Sequence, residues 1–330
     1  MNKEKETPMI NRRAALLASL AALAAPAGAA AWPERTVKLV VPYPAGGGVD
    51  TAARIYAVAL SGLLKQQVIV DNRPGAAGAI GAQAVAKSPA DGYTVLMASP
   101  AEVMVSPIAG QALPYDPQKD LAPVALGGET PLAIVAYPQA APKGLQDLIA
   151  RAKAQDLKRS YGTPGNGSSM HFAGEAFKSA TGLNWQHVPY KGAAPAVNDV
   201  LGGQIECVIS GLPPLMQHIK AGKLTALAVT SSRRVASLPD VPSISEFPGL
   251  ADSRFTNWMG IFVPQGTPQD VIDHLARAVE SASADPGVAQ RLQDAGWDPT
   301  VLRGSAFVNF LNDERARYTA VAKRTGIKVD

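Results

Sequence analysis

The sequence predicts an α/β protein of two domains that face each other across a cleft. Short, β-rich apolar runs alternate with helical periodicity over residues 37–97 and again over residues 160–230. This alternation is typical of parallel sheets covered by helices. A long apolar strand at 121–137 leaves the first unit, and a strand at 258–264 returns to it. Two such connections are expected of a hinged cleft, in which a few element-terminal residues absorb the closing motion.

The first unit begins with a buried strand at Val37–Val41, a short and mostly apolar run. A glycine-rich turn at 44–48 follows, and we expect Asp50 or Thr51 to cap the next helix through a side-chain oxygen. The remaining elements of this unit are strands at 68–70 and 94–97 and a helix after the glycines at 75–78.

The second unit repeats the pattern. Its predicted elements are helices at 145–154 and 171–181 and strands at 160–161, Trp185–Pro189, 205–209 and 225–230. After the returning strand, three helices are expected to pack against the first domain, at Gln269–Ala284, 287–295 and Ser305–Thr325. We therefore expect one domain to consist of residues 32–130 with 255–330, and the other of residues 131–254.

The N-terminus has the pattern of an export signal. Arg12 and Arg13 precede an apolar run at 14–25, which is too short to span a bilayer, and small residues follow at 26–31. We expect residues 1–31 to be a signal peptide cleaved after Ala31, with the mature protein in the periplasm. A retained membrane anchor is the alternative, and both the general secretory route and the twin-arginine route are open.

Charge and cysteine content exclude several classes of protein. With 31 basic and 27 acidic residues and no basic run, the chain is too balanced for a nucleic-acid-binding protein. The single cysteine, Cys207, cannot form an intramolecular disulfide and lies in an apolar run.

His171 and Glu175 have helical spacing, but no second cluster completes a metal site. We therefore expect no metal and no cofactor.

Two glycine-rich turns, at 44–48 and 163–169, are the candidate functional site. Each follows a predicted strand and opens a predicted helix, so unpaired backbone N–H groups and the positive end of a helix dipole meet at each turn. The hydroxyls of Thr163, Ser168 and Ser169 add donors, and neither turn contains arginine. The pattern indicates a cleft that holds a small anion with neutral groups.

Two enzyme classes share parts of this pattern. A dinucleotide-binding enzyme would place an acid such as Asp71 after the glycine turn, but Thr51 stands where the third glycine of that motif belongs. A serine hydrolase could use Ser168 or Ser169, but the sequence around them has no G-x-S-x-G motif. We therefore predict no catalytic residue.

Six segments together resemble the tripartite tricarboxylate transporter substrate-binding proteins, also called the Bug family of periplasmic receptors. The resemblance covers essentially the whole chain from Trp32 onward. The segments are WPERTVKLVVPYPAGGGVDTAAR (32–54), VDNRPGAAGAIGA (70–82), ADGYTVLMAS (90–99), YGTPGNGSSMHFAGE (161–175), VPYKGAAPAVNDVLGGQIE (188–206) and LPDVPSISE (238–246).

The resemblance implies a two-domain periplasmic binding protein of the type II-like, Venus-flytrap class, which is not an enzyme. It implies that a small carboxylate is held between the two turns, partly through ordered waters. For Asp50, capping of its own helix and fixing of a bridging water or ligand amino group stay open. Carried over motif by motif, the ligand-binding positions are Tyr43, Ala45, Gly46, Gly47, Gly48, Asp50, Ser99, Ala101, Thr163, Gly165, Asn166, Gly167, Ser168, Ser169, His171 and, at the rim, Lys191.

The family also implies partners in the membrane. Similar receptors deliver their ligand to integral permease subunits, and presentation to a sensor kinase is the alternative. We expect a monomer that binds no nucleic acid. The low aromatic content near the turns favours an aliphatic di- or tricarboxylate. Glu102, if it faced the cleft, would disfavour an additional ligand carboxylate or pair with an amino group.

Overall fold

The computed structural model describes residues 32–137, 143–155, 159–235 and 237–328. The predicted signal peptide at 1–31 lies outside the described residues. The compact unit that carries the fold begins at Arg35. Within the described part of the chain, no helix combines the length and the hydropathy that a membrane span requires.

The first half of the fold is a parallel sheet flanked by helices. Strands β1 (Val37–Val41), β2 (Val68–Asn72) and β3 (Thr94–Ala98) run parallel, with β1 between the other two. Helices α1 (Gly48–Leu64) and α2 (Ala79–Ala86) connect them. Most residues of β1 and β3 are buried, as expected of parallel strands that are covered on both faces. This confirms the predicted alternation of strands and helices.

One long strand joins the two halves. The first part of β4 (Leu121–Ala136) pairs antiparallel with β9 (Thr256–Pro264), and its last residues pair with β7 (Cys207–Gly211) and β8 (Thr225–Val229). The strand thus belongs to one sheet at its start and to the other at its end. The domain boundaries near 130 and 255 remain a prediction; they lie where β4 passes from the first sheet to the second and just before β9 begins in the first sheet.

The second half repeats the parallel arrangement. Strand β5 (Arg159–Thr163) lies between β6 (Trp185–Pro189) and β7 and runs parallel to both. Its helices are α3 (Leu145–Gln155), α4 (Ser169–Thr181), α5 (Ala193–Leu201) and α6 (Pro213–Lys220). The sequence analysis did not identify α5 and α6. Strand β7 also begins two residues later than the predicted strand at 205–209. The turn that follows α5, in which Gly203 has a φ of +67°, occupies the residues before it.

Three helices close the chain, α7 (Gln269–Ala284), α8 (Pro286–Asp294) and α9 (Ser305–Thr325), and a two-residue strand β10 (Leu302–Arg303) pairs with β4. The bounds of α7 and α9 are those predicted. Helix α9 also contacts the second half, since the ring of Tyr318 lies 5.1 Å from that of Phe172 on α4. The buried tryptophans Trp185, Trp258 and Trp297 belong to the core, as expected of large apolar side chains.

Candidate functional site

The first glycine turn leaves the start of α1 open. Residues 44–48 are exposed, Gly46 has a φ of +85°, and Gly47 at the cap position is extended, with a φ of −76° and a ψ of 167°. No side chain caps this helix. Its first N–H groups therefore have no side-chain cap at the positive end of the helix dipole, beside an exposed turn, which is the arrangement that binds anions.

Asp50 braces this turn. The predicted cap at Asp50 or Thr51 is wrong, because the extended backbone at Gly47 lets the helix begin at Gly48. The buried Asp50 carboxylate instead accepts hydrogen bonds from Gly46 N–H (2.8 Å), Arg54 Nε (3.0 Å) and Asn72 Nδ2 (2.8 Å). Burial alone would raise the pKa of this carboxyl, but these hydrogen bonds outweigh it and lower the pKa. Its charge is thus paired within the protein.

Other residues beside the turn complete this support. Trp297 Nε1 donates to the Gly48 carbonyl at 3.1 Å and anchors the first residue of α1. Arg54 also donates to Asn72 Oδ1 at 3.0 Å. The sequence analysis missed Arg54, Asn72 and Trp297, although the spacing of Asp50 and Arg54, four residues apart on one helix, was a usable signal. An open groove of about 500 Å³ passes the turn, and its lining residues include Ala45, Gly46, Asp50, Thr51, Arg54 and Arg291.

Tyr43, Ser99 and Ala101 lie together, and their part in ligand binding remains a prediction. The Tyr43 hydroxyl lies 2.6 Å from Ser99 Oγ, and Ala101 N–H donates to Ser99 Oγ at 3.3 Å. Glu102 is fully buried beneath them rather than exposed at a cleft surface. Its Oε2 accepts the Tyr43 hydroxyl at 2.6 Å, and its Oε1 accepts Ser99 N–H at 2.6 Å. The carboxylate therefore holds the loop after β3 against the first turn.

The second turn is held by its own side chains. Ser168 caps α4 by accepting His171 N–H at 3.2 Å, and its hydroxyl donates to the Gly165 carbonyl at 2.8 Å. Thr163 Oγ1 lies 2.7 Å from His187 Nε2 and 3.1 Å from the Gly165 carbonyl. Thr163 and Ser169 are buried, and Asn166 is exposed. The hydroxyl hydrogen of Ser168 is thus engaged within the turn, and its oxygen caps α4.

A pair of histidines lies beneath this turn. The rings of His171 and His187 stack with centroids 3.7 Å apart, and His171 Nδ1 accepts Gly167 N–H at 3.2 Å. Because Nδ1 is an acceptor, this contact assigns the neutral ring with its hydrogen on Nε2. Burial, and then the neighbouring His187, lower the pKa of His171 to about 3, and burial lowers the pKa of His187 to about 4. The sequence analysis missed His187, which carried no recognisable motif.

Lys191 lies beside the second turn and is exposed. The loop that contains it is tied to the turn by two hydrogen bonds, from Tyr190 N–H to the Thr163 carbonyl (3.0 Å) and from Gly192 N–H to the Pro164 carbonyl (2.8 Å). The backbone of Lys191 is therefore held beside the turn, and the role of this residue at the rim of the site remains a prediction.

The two clusters occupy equivalent places in the two halves. Tyr43 and Ser99 follow the carboxyl ends of β1 and β3, and Thr163 ends β5 beside His187 on β6. In α/β folds, ligands bind at this edge of the sheet.

Among residues 32–137, 143–155, 159–235 and 237–328, no group of His, Cys, Asp and Glu side chains could hold a metal ion. Cys207 is buried, and burial raises the pKa of its thiol to about 12.

Several solved structures share this fold over nearly the whole chain. One, described as a periplasmic transporter, has a TM-score of 0.82 at 36% identity and covers 91% of this chain and 100% of its own. The R. palustris protein Rpa4515, solved with adipate, has a TM-score of 0.81 at 32% identity, covering 90% and 99%. MatC (Rpa3494) from Rhodopseudomonas palustris, with bound malate, has a TM-score of 0.76 at 28% identity, covering 88% and 99%. The fold thus defines a periplasmic solute-binding receptor.

The family follows from the sequence comparison. The model of the tripartite tricarboxylate transporter family receptor matches residues 52–327. A UPF0065 protein of Bordetella bronchiseptica is 39% identical over 311 residues, covering 94% of this chain and 91% of that protein. Protein BugT of Bordetella pertussis is 36% identical over 310 residues, covering 94% and 95%. The chain belongs to the tripartite tricarboxylate transporter receptor family, whose members are receptors rather than enzymes.

Proposed function

We propose that this receptor captures a small aliphatic di- or tricarboxylate in the periplasm, after removal of residues 1–31, and delivers it to an integral membrane permease. The observation that carries the proposal is the start of α1, which no side chain caps and which follows the exposed turn at 44–48. Neutral backbone N–H groups at such a helix start can bind an anion. The second turn opens α4 and lies at the same edge of its own sheet. The binding of adipate and malate by two structural relatives supports a carboxylate ligand.

The charges around the first turn support the same ligand class. The Asp50 carboxylate is already paired with Arg54, so it adds little repulsion toward an incoming anion. A ligand carboxylate would accept charge-assisted hydrogen bonds, each contributing roughly 1.5–3 kcal/mol. The positions carried over from the resemblance form the proposed site, with the ligand between the two turns and Lys191 at the rim.

The direct test is ligand-dependent thermal stability of the purified protein with adipate, malate and citrate, and with the uncharged diamide of adipic acid. A ligand at about 100 times its Kd stabilises the folded state by roughly 2.7 kcal/mol, so a carboxylate that binds should raise the Tm by several degrees. The diamide should leave the Tm unchanged. Stabilisation by the diamide equal to that by adipate would contradict an anion site.

A matched pair of variants tests the first turn. Gly47 has an extended backbone, and a Cβ there would meet only the Pro44 carbonyl oxygen at 3.5 Å, so Gly47→Val should fold while its side chain covers the start of α1. The positive φ lies at Gly46 instead. Gly144→Val is the control, because Gly144 precedes α3 and a Cβ there meets nothing within 4 Å. Carboxylate binding should be lost in Gly47→Val and kept in Gly144→Val, as measured by calorimetry. Equal affinities in the two variants would exclude the first turn.

Delivery to a permease needs its own experiment. The receptor, carrying a photo-crosslinker at an exposed surface residue, is mixed with native membranes in the presence and absence of the bound carboxylate. Crosslinking to a large multi-span integral protein would support delivery to a permease. Crosslinking to a membrane histidine kinase alone would contradict it and establish a sensing role.

A further inference from the structure

Beneath the first turn, three oxygen atoms from different side chains lie within hydrogen-bond distance of each other. Tyr43 Oη is 2.6 Å from Ser99 Oγ and 2.6 Å from Glu102 Oε2, and Ser99 Oγ is 3.0 Å from the same Oε2. We call these side chains the Tyr43–Ser99–Glu102 triad. The other carboxylate oxygen, Oε1, accepts Ser99 N–H at 2.6 Å.

The number of hydrogens in the triad depends on Glu102. When the carboxylate is ionised, the two hydroxyls supply two hydrogens to three oxygen–oxygen contacts, so one contact pairs two oxygens with no hydrogen between them. A proton on Oε2 supplies the third hydrogen and closes the ring. The bond from Ser99 N–H to Oε1 is compatible with both states. The geometry is therefore ready to receive one proton without moving a heavy atom.

The position of Glu102 favours the neutral state. The side chain is fully buried, and none of the ion pairs formed by described residues includes it. Gly78 approaches so closely that a Cβ there would lie 3.0 Å from Oε2, which excludes water from that side. Burial raises the pKa of Glu102 to about 7, although the hydrogen bonds from Tyr43 and Ser99 oppose this rise.

The neighbouring elements add few titratable groups. Tyr43 faces Glu102 from the loop after β1, and the Tyr115 hydroxyl donates to the Glu102 carbonyl at 2.6 Å. The turn at Ala76–Gly78, helix α2 and strand β3 contain no titratable side chain. Helix α9, which also packs here, carries charges of both signs along its length: Asp313, Glu314, Arg315, Arg317, Lys323 and Arg324. Of these, Glu314 pairs with Arg317, and Arg315 interacts with Asp116.

We propose that capture of a carboxylate at the first turn is coupled to proton uptake by the Tyr43–Ser99–Glu102 triad. This inference rests on the proposed function. Tyr43 is only partly buried and directly precedes the turn at 44–48, so a bound anion adds negative charge next to the triad and makes the ionised Glu102 less favourable. Glu102 is thereby a positioning residue that orients Tyr43 and Ser99 and offsets part of the negative charge that the ligand brings.

Linkage fixes the sign of the effect. If the anion raises the pKa of Glu102 by one unit, binding takes up about half a proton at pH 7.5 and is about fivefold tighter at pH 7 than at pH 9. Both carboxyl groups of adipate or malate are ionised over this range, so the ligand contributes no such dependence.

The experiment is calorimetric titration with adipate and with malate, at pH 7.5 in buffers of different ionisation enthalpy and then at pH 7 and pH 9. Wild type should take up a fraction of a proton per ligand. Glu102→Gln supplies N–H groups where the protonated acid would supply O–H, so it should bind with no proton uptake and with equal affinity at pH 7 and pH 9. Glu175→Gln is the control, since Glu175 accepts the Tyr161 hydroxyl at 2.8 Å in the second half of the fold, and it should keep the uptake of wild type.

Three outcomes are distinguishable. Proton uptake in wild type and Glu175→Gln that disappears in Glu102→Gln supports the proposal. Binding without proton uptake in wild type, or uptake that persists in Glu102→Gln, overturns the proposal and leaves the receptor function intact. Failure of wild type to bind any carboxylate overturns both. Thermal unfolding of each variant without ligand separates loss of fold from loss of proton uptake.

Discussion

The stacked histidines beneath the second turn predict an acid-sensitive contribution to stability. His171 accepts the Gly167 N–H through Nδ1 and stacks on His187 at 3.7 Å. Protonation of Nδ1 would break that bond and place charge in a buried stack. Burial and the neighbouring ring lower the pKa of His171 to about 3, and burial lowers that of His187 to about 4, whereas an unfolded histidine has a pKa near 6.5.

The sign and size follow from linkage. The unfolded chain binds protons that the folded protein excludes, so this contribution is complete above pH 6.5 and decreases as the pH falls toward the folded pKa values. At pH 5, protonation stabilises each unfolded histidine by about 2 kcal/mol. The partly exposed His187 contributes less than the buried His171 because solvent screens it. We expect the pair to cost about 3 kcal/mol at pH 5, a large share of a typical folding free energy.

The assay is urea unfolding at pH 7.5, 6.5 and 5.0 of wild type, His171→Gln and His218→Gln. Glutamine can still accept the Gly167 N–H but does not titrate, so His171→Gln should lose about 2 kcal/mol less than wild type between pH 7.5 and 5.0. His218, in the last turn of α6, serves as the control and should follow wild type. Because the pKa of the buried Glu102 is raised, protonation of this carboxyl stabilises the folded protein as the pH falls, in wild type and in both variants. The readout is therefore the difference between the variants and wild type. An identical pH dependence in wild type and His171→Gln would refute this reasoning.

Two further substitutions test packing and the brace of the first turn. A Cβ on Gly174 of α4 would lie 2.2 Å from Tyr161 Cε2, so Gly174→Ala should destabilise the protein by about 1–3 kcal/mol despite the higher helix propensity of alanine. Gly62→Ala, where a Cβ meets nothing within 4 Å, should be neutral or stabilising in the same urea assay, and equal losses would contradict the packing argument. Asp50→Asn removes the charge that Gly46, Arg54 and Asn72 share and should cost about 1–3 kcal/mol at pH 7. Because the pKa of Asp50 is lowered, that difference should shrink below pH 4, and a difference that grows in acid would show that Asp50 does not act through its charge.

The sequence by itself determined most of the strands and helices and the two glycine turns of the proposed site. Apolar runs such as Val37–Val41 and the periodicity of Gln269–Ala284 are local patterns, and local patterns specify strands and helices directly. The glycine turns at 44–48 and 163–169 were visible for the same reason, since they interrupt such runs. Helices α5 and α6 were missed because they are short and because one begins after Gly192 and the other at Pro213, residue types that also mark turns.

Only the tertiary structure decided which side chains support the turns. Asp50 reads as a helix cap from sequence, yet Arg54 and Asn72 make it a buried brace, and the open backbone at Gly47 starts the helix without a cap. Glu102 and His187 gain their roles from Tyr43 and Thr163, partners 59 and 24 residues away along the chain. Burial and hydrogen bonds across such distances set a group's charge and orientation, and a single sequence carries no local record of them.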